Sequence, residues 1–254
     1  MLTRMELKDF GRITGYALGQ VEKDYLQHHI LSYLGRQSGR SLVFKGGTCL
    51  QKIYGLDRFS EDLDFTATQN FDLKIALEHV SRDMEIMGFP VHLNKSRKRE
   101  DNSFRIMIEG PLFNGRATSR CSITVEMSTR GDLIEEPLTK KLVPIYTEIT
   151  PYTVYYMNAS EIMAEKVRAL ITRTKARDLY DLHFLIMKNV ETDIEAIRSK
   201  LSVYNIKLKR SDIPKAIENN KKIWTPELKA LVSGSIPDYE EVSSIVRKKL
   251  AIID

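Results

Sequence analysis

The chain has 254 residues, of which 42% are hydrophobic and 29% are charged, with 39 Lys and Arg against 34 Asp and Glu. This composition excludes a disordered chain, and no apolar run approaches the roughly 18 residues that a membrane-spanning helix needs. The polar start of the sequence, and two cysteines that both stand in apolar surroundings, favour a soluble cytoplasmic protein over a secreted, disulfide-bonded or membrane protein.

The first part of the chain is predicted to combine helices with a sheet. Apolar periodicity, glycine turns and proline positions together delimit these elements. Three prolines between residues 137 and 151 indicate that the chain leaves the sheet there. In chain order the predicted elements are a helix over 6–36, a strand over 42–44, a short helix over 48–54 capped by Thr48, a strand over 59–66, a helix over 73–87 and strands over 91–94, 104–109 and 122–127.

The rest of the chain is predicted to be helical. Asn158 and Glu161 resemble a capping box that starts the first of these helices, and further helices are predicted over 193–201, 213–223, 227–231 and 239–252. The charge changes at the same place, since residues 1–155 carry 21 basic and 20 acidic side chains and residues 156–254 carry 18 and 14. We therefore predict an α/β domain over 1–155 and a helical domain over 156–254.

Asp62 and Asp64 stand two residues apart in a predicted strand. Alternate side chains of a strand share a face, so these carboxylates would lie together with their Cα atoms roughly 6.6 Å apart. Carboxylates in this arrangement can hold Mg²⁺ beside substrate phosphates, and two such ions promote in-line displacement at phosphorus. Glu126, on the polar face of another predicted strand, is the candidate third ligand. Taken alone, the acidic pair also fits a solvated strand face.

Two adjacent glycines follow the first predicted strand, in Lys45-Gly46-Gly47-Thr48. Glycine lets a ligand approach the backbone closely, and the N–H groups of such a turn can surround a phosphate. A Gly-Gly pair alone is usually only a turn. A strand, Gly-Gly-Thr, a short helix and a strand that carries Asp-x-Asp form a more specific combination, which indicates a nucleotide site.

The segment LVFKGGTCLQKIYGLDRFSEDLDFT resembles the signature of the AbiEii/AbiGii-type toxin nucleotidyltransferases, which include the MenT-type toxins and belong to the DNA polymerase β-like superfamily. The run from Glu161 to Leu170, with Arg173 and residues 177–182, is similar to a downstream motif of the same family. The resemblance implies an α/β (α+β) mixed sheet of the nucleotidyltransferase type, flanked by helices and followed by a helical C-terminal domain.

The resemblance also implies a Mg²⁺-dependent enzyme, with two ions expected, that transfers a nucleoside monophosphate from an NTP. For MenT-type members the acceptor is the 3′ end of tRNA, and the transfer blocks translation. The implied protein partner is a cognate antitoxin. Two rival functions remain open: the same chemistry on a protein or small-molecule acceptor, and a catalytically silent RNA-binding module.

The resemblance assigns several of the site residues by their position in these motifs. Gly46, Gly47 and Thr48 match the phosphate-holding motif, and Asp62 and Asp64 match the metal pair. Glu126 stands where the superfamily usually has Asp. The predicted catalytic set is Asp62, Asp64, Lys166, Asp178 and Asp181, and the predicted nucleotide-binding set is Lys45, Gly46, Gly47, Thr48, Arg58, Ser60 and Arg173.

The downstream residues have structural alternatives. Lys166 borders the apolar stripe of its predicted helix and could reach a phosphate, or it could be a surface lysine with a buried stem. Asp178 and Asp181 share a helical face, where one of them could position Lys166 or Arg58 or act as an auxiliary base. The other interpretation is a structural Arg–Asp network between the two domains.

A short basic run, residues 95–99, separates two predicted strands. Arg97, Lys98 and Arg99 are predicted to contact RNA, because Lys and Arg side chains that neutralise phosphates drive RNA binding. The alternative is a solvated hairpin tip.

Overall fold

The structure is a computed structural model that describes residues 1–96 and 102–251. It divides into two compact units. The first contains Met1–Cys49, Phe59–Gly131 and Pro137–Tyr156, and the second contains Leu50–Arg58, Asp132–Glu136 and Met157–Asp254. The division is not a single cut in the chain, because two short segments from the first 155 residues group with the second unit.

Two helices open the first unit where the sequence predicts one. Helix α1 spans Arg4–Thr14 and helix α2 spans Leu18–Ser38. Gly15 ends α1 at φ +73°, a left-handed conformation that glycine adopts without steric cost. The prediction of a single helix over 6–36 is therefore wrong. The break could not be seen in the apolar pattern, because the apolar residues keep a helical spacing across it.

Among the described residues, a mixed seven-stranded sheet forms the core of the first unit. Its strands are β1 Leu42–Lys45, β2 Leu63–Ala67, β3 Val91–Lys95, β4 Ser103–Ile108, β5 Cys121–Ser128, β6 Leu138–Leu142 and β7 Tyr152–Tyr156. Their order is β3-β4-β5-β2-β1-β7-β6. The pairs β2–β5 and β1–β7 are parallel and the others are antiparallel. Helix α2 packs against the sheet, and so does α4, which spans Leu73–Ile86.

Strands β6 and β7 correct the prediction that the chain leaves the sheet among its prolines. Pro137 and Pro151 each stand immediately before one of these strands. A proline at that position lacks only an N–H group that the ladder does not need. The prolines therefore mark the starts of two strands, and β7 adds to the sheet beside β1.

The second unit is built from helices. They are a π-helical turn Leu50–Tyr54, α5 Ala159–Thr172, α6 Ala176–Met187, α7 Ile194–Ser202, α8 Asp212–Asn219, α9 Trp224–Leu228 and α10 Tyr239–Leu250. Helix α3, Gly46–Cys49, precedes the π-helical turn in the chain and belongs to the first unit. None of the helices in the described ranges combines the length and apolar character that a membrane span requires.

A buried lysine joins the segment Asp132–Glu136 to the helices of the second unit. The Lys200 ammonium, 1% exposed, donates to the Glu161 carboxylate at 2.7 Å and to the Asp132 carbonyl. Glu161 also accepts the N–H groups of Ile134 at 2.9 Å and Glu135 at 3.1 Å. The predicted capping box is therefore wrong in its second member.

Asn158 caps helix α5 alone. Its side-chain oxygen accepts the N–H of Ser160 at 3.4 Å. The Glu161 carboxylate, three residues later, instead accepts the N–H groups of Ile134 and Glu135. Sequence spacing does not predict this pairing.

The first unit buries a neutral histidine. His29 in α2 is 4% exposed, with its ring centroid 4.7 Å from that of Tyr25 and 5.3 Å from that of Phe89. Burial lowers the pKa of His29 from 6.5 to about 4. The folded protein therefore resists a proton that the unfolded chain accepts near pH 6.5.

We expect this difference to make the protein less stable in mild acid. As the pH falls from 6.5 to 4, the unfolded state gains a proton that the native state does not, and the free energy of unfolding should drop by about 3 kcal/mol. Urea denaturation at pH 7 and pH 4 checks this. His29→Phe should lack that part of the loss, and an identical pH dependence in both proteins would exclude His29 as its source.

Candidate active site

Four polar side chains form a row across the sheet of the first unit. The strand register pairs Ser103 with Glu126, Glu126 with Asp64, and Asp64 with Lys45. Directly paired residues point to the same face of a sheet, on strands about 4.8 Å apart. The carboxylates of Glu126 and Asp64 therefore lie on neighbouring strands, with a lysine on one flank and a serine on the other.

The charged members of this row are accessible, whereas the serine is buried. Lys45, Asp64 and Glu126 are half-buried, and Ser103 has no exposed surface. The Ser103 hydroxyl donates to Glu126 Oε1 at 3.4 Å. The buried Ser103 hydroxyl therefore orients the Glu126 carboxylate, while the carboxylates of Asp64 and Glu126 remain accessible to a ligand.

The backbone of Gly46 lies directly against the Asp64 carboxylate. A Cβ at this position would overlap Oδ2 of Asp64 and lie 2.9 Å from its Cβ. The Gly46 φ of +75° is also unfavourable for any residue that carries a Cβ. Two independent constraints thus require glycine here, and both come from the turn that joins β1 to α3.

Asp62 lies just outside the sheet. Strand β2 begins at Leu63, so the strand predicted over 59–66 starts too early. The Asp62 carbonyl accepts the hydroxyl of Thr48, which has no exposed surface. Thr48 therefore holds the backbone of Asp62 and does not cap a helix, because α3 already begins at Gly46.

A buried ion network in the second unit contains the residues of the downstream motif. Asp181 accepts Nε of Arg58 at 2.6 Å and Nη2 at 2.7 Å, and it lies 2.7 Å from Lys166 Nζ. Asp178 lies 3.1 Å from Lys166 Nζ and accepts Nε and Nη2 of Arg173 at 2.8 and 3.0 Å. Both carboxylates are fully buried, Arg58 is 2% exposed and Lys166 is 7% exposed.

The cations of this network keep both carboxyl groups ionised. Burial raises the pKa of Asp181, but Arg58 and Lys166 outweigh burial, so its pKa is lowered. Asp178 follows the same balance, with Lys166 and Arg173 as the cations that lower its pKa. A fully buried carboxylate with a lowered pKa is a weak base. These properties disfavour the auxiliary-base role and fit a structural Arg–Asp network.

The remaining residues of the predicted nucleotide set are placed as follows. Arg58 is held by Asp181, so a phosphate would have to compete with that carboxylate. Arg173 is extended and follows the end of α5 at Thr172, so it does not continue the helix face of Lys166. Ser60 is half-buried ahead of β2. The roles assigned to these residues remain predictions.

The predicted RNA contacts, Arg97, Lys98 and Arg99, lie outside the described residues.

Comparison with known protein families decides the relationship. The family model described as "Nucleotidyl transferase AbiEii toxin, Type IV TA system" matches residues 32–247. The chain belongs to the AbiEii nucleotidyl transferase toxin family. A search of curated proteins finds no match.

Solved structures share the fold of this AbiEii protein. MenT4, a nucleotidyltransferase toxin from Mycobacterium tuberculosis, superposes with a TM-score of 0.65 at 21% identity, over 100% of this chain and 90% of that one. JHP933 from Helicobacter pylori gives 0.60 at 24% identity, over 94% and 93%. The predicted family and fold class, a mixed sheet flanked by helices with a helical C-terminal region, are confirmed.

The carboxylate row of this AbiEii protein is the set Ser103, Glu126, Asp64 and Lys45 described above, and its two carboxylates fit a magnesium ion. Among the described residues, no three or more Asp, Glu, His or Cys side chains gather into a metal cluster. Mg²⁺, however, is usually bound by one or two carboxylates together with substrate phosphates and water. Asp64 and Glu126 supply such a pair of hard oxygen donors beside the Gly46 backbone.

Proposed function

We propose that this AbiEii toxin transfers a nucleoside monophosphate from an NTP to the 3′ end of tRNA and thereby blocks translation. The pairing of Asp64 with Glu126, with Gly46 packed against Asp64, carries the proposal. It offers two half-buried carboxylates beside a glycine turn, and this arrangement suits a metal-bound triphosphate.

The proposed reaction forms one bond and breaks one. The 3′ hydroxyl oxygen attacks the α-phosphorus of the NTP, the bond from that phosphorus to the bridging oxygen breaks, and pyrophosphate leaves. The hydroxyl proton passes to water. Mg²⁺, with two ions expected at Asp62, Asp64 and Glu126, would supply the charge neutralisation that this in-line displacement needs.

The residues beside the carboxylates would bind the triphosphate. Lys45 pairs with Asp64 across two strands and can meet a phosphate as a compact positive charge. The backbone N–H groups of Gly46 and Gly47 would face the phosphate oxygens. The Thr48 hydroxyl is bonded to the Asp62 carbonyl, so we assign it to positioning before phosphate binding.

The downstream motif lies in the second unit, and its proposed roles are those of Lys166 and the two aspartates around it. Lys166 remains a predicted catalytic residue, and its two ion pairs fix its ammonium group between Asp178 and Asp181. We propose that the two aspartates act by holding Lys166 and the neighbouring arginines. Their full burial supports this positioning role.

The charge of the second half supports an RNA acceptor. Residues 156–254 carry 18 basic against 14 acidic side chains, and the last turn of α10 contains Arg247, Lys248 and Lys249. Such side chains neutralise backbone phosphates. Because the family is described as part of a type IV toxin–antitoxin system, we propose a cognate antitoxin as the protein partner.

A transfer assay tests the proposal. Wild type and Asp64→Asn are incubated with total tRNA, Mg²⁺ and each α-labelled NTP in turn. We expect label on tRNA with wild type, and a rate on the order of 10²–10³ lower with Asp64→Asn, as when a preorganised active-site charge is removed. Asp9→Asn, which loses only an exposed pair with Arg12, is the matched control and should retain full activity.

Two outcomes would contradict this function. Label on protein or on a small molecule, with none on tRNA, would replace the acceptor. Equal labelling by wild type and Asp64→Asn would remove the carboxylate row from the reaction.

A further inference from the structure

The segment immediately before β2 is fixed by buried side chains. Residues 59–62 belong to no strand, because β2 begins at Leu63. Gln27 in α2 donates from Nε2 to the Ser60 carbonyl at 3.0 Å and to the Glu61 carbonyl at 2.9 Å. Thr48 donates to the next carbonyl, that of Asp62. Three consecutive carbonyls are thus held by two side chains that have no exposed surface.

The chemistry at Gln27 shows which of its groups the site uses. Its Oε1 is buried, and no hydrogen-bond partner for it exists among the described residues. A buried acceptor without a partner is destabilising, so this oxygen gives no reason for a glutamine at this position. The NH₂ group does, because it provides two donors without a charge. Reversing the amide would turn the oxygen towards two carbonyl oxygens.

A second contact joins the same helix to the same segment. Lys23 stands one turn before Gln27, and its ammonium lies 3.0 Å from the Glu61 carboxylate. This pair is partly exposed and contributes little by itself. It nevertheless shows that one face of α2 follows the chain that leads into Asp62.

We propose that Gln27 is a positioning residue that holds the backbone of Asp62 in its metal-binding conformation. This inference rests on the proposed function. Gln27 precedes residues 32–247, which the family model matches, and it therefore lies outside the motifs that identified the site. Through Gln27, helix α2 holds the carbonyls of Ser60 and Glu61, the two residues that precede Asp62.

Gln27→Met tests this role because methionine retains the length of glutamine and lacks both donors. In the metal-free protein, amide hydrogen exchange over residues 59–63 should become about tenfold faster or more. Mn²⁺ affinity, measured by electron paramagnetic resonance titration, should fall about 10- to 100-fold, as for other groups that orient metal ligands. The loss in transfer should appear in kcat at saturating NTP and be relieved by raised Mn²⁺.

Two further variants accompany it. Gln27→Asn keeps the amide but is one methylene shorter, so it should give an intermediate loss of Mn²⁺ affinity. Ser38→Ala is the matched control, because Ser38 is a buried residue of α2 whose hydroxyl donates to the Leu34 carbonyl at 2.8 Å. It should leave Mn²⁺ affinity unchanged.

The outcomes separate this inference from the function on which it rests. Wild-type Mn²⁺ affinity in both Gln27 variants would overturn the role of Gln27 and leave the metal site in place. An equal loss in Ser38→Ala would also overturn it, since general weakening of α2 would explain the effect. Unchanged Mn²⁺ affinity in Asp62→Asn and Asp64→Asn would overturn the metal pair and the inference together.

Discussion

Gly46→Ala is expected to reduce nucleotidyl transfer by about 100-fold or more in a protein that still folds. The new Cβ would overlap Oδ2 of Asp64 and displace its carboxylate. A misplacement of about 1 Å in an active site is enough for a loss on the order of 10²-fold. The cost in stability should stay near 1–2 kcal/mol, the penalty of a left-handed conformation for a residue with a Cβ. Steady-state transfer rates and urea denaturation measure the two effects.

Gly115→Ala separates the overlap from the backbone strain. Gly115 has a φ of +87°, and a Cβ there would meet nothing within 4 Å. This variant should lose a similar amount of stability and keep its activity. Equal activity in both variants would show that the contact between Gly46 and Asp64 does not matter for transfer.

Asp181→Asn is expected to cost about 3–5 kcal/mol of stability, the range for breaking a buried ion pair. The substitution leaves Arg58 and Lys166 buried with less compensating charge. Denaturation by urea at pH 7 measures the loss. Asp9→Asn provides the surface reference, because its pair with Arg12 is exposed and should contribute about 0–1 kcal/mol. Equal losses in the two variants would contradict the importance of the buried network.

The same pair of proteins has an expected pH dependence. The folded pKa of Asp181 lies below its ordinary value of 3.8. The unfolded chain therefore takes up a proton before the native protein does, so the contribution of Asp181 is complete above pH 3.8 and is lost as the pH falls through the folded pKa. The stability difference between wild type and Asp181→Asn should shrink as the pH falls below 3.8. A constant difference would contradict the lowered pKa.

Local sequence patterns were sufficient to find the candidate site. The apolar run before Gly46, the alternation around Asp64 and the alternation around Glu126 all predict strands, and β1, β2 and β5 are present. A period of two also predicts which side chains share a face. It does not predict register, so the pairing of Lys45 with Asp64 required the folded sheet.

Other features depend on contacts between distant parts of the chain. Gln27 has no local signature, since a glutamine in a helix is ordinary until its partners are known. Spacing placed Asp178 and Asp181 on one helix face. The sequence left Lys166 and Arg58 open as partners, and the folded structure pairs Arg58 with Asp181, 123 residues later in the chain. The prolines before β6 and β7 led to a wrong prediction, because proline is common both at the start of a strand and in a loop.

The position of the transferred phosphorus tests the central claim most directly. Parallel reactions with total tRNA and Mg²⁺ use the same NTP labelled at either the α- or the γ-phosphorus. Nucleotidyl transfer predicts α-label at the tRNA 3′ end and γ-label in pyrophosphate, in equal amounts, with both products reduced on the order of 10²–10³-fold in Asp64→Asn. Appearance of the γ-label on the RNA, or pyrophosphate release that Asp64→Asn does not reduce, would contradict the account.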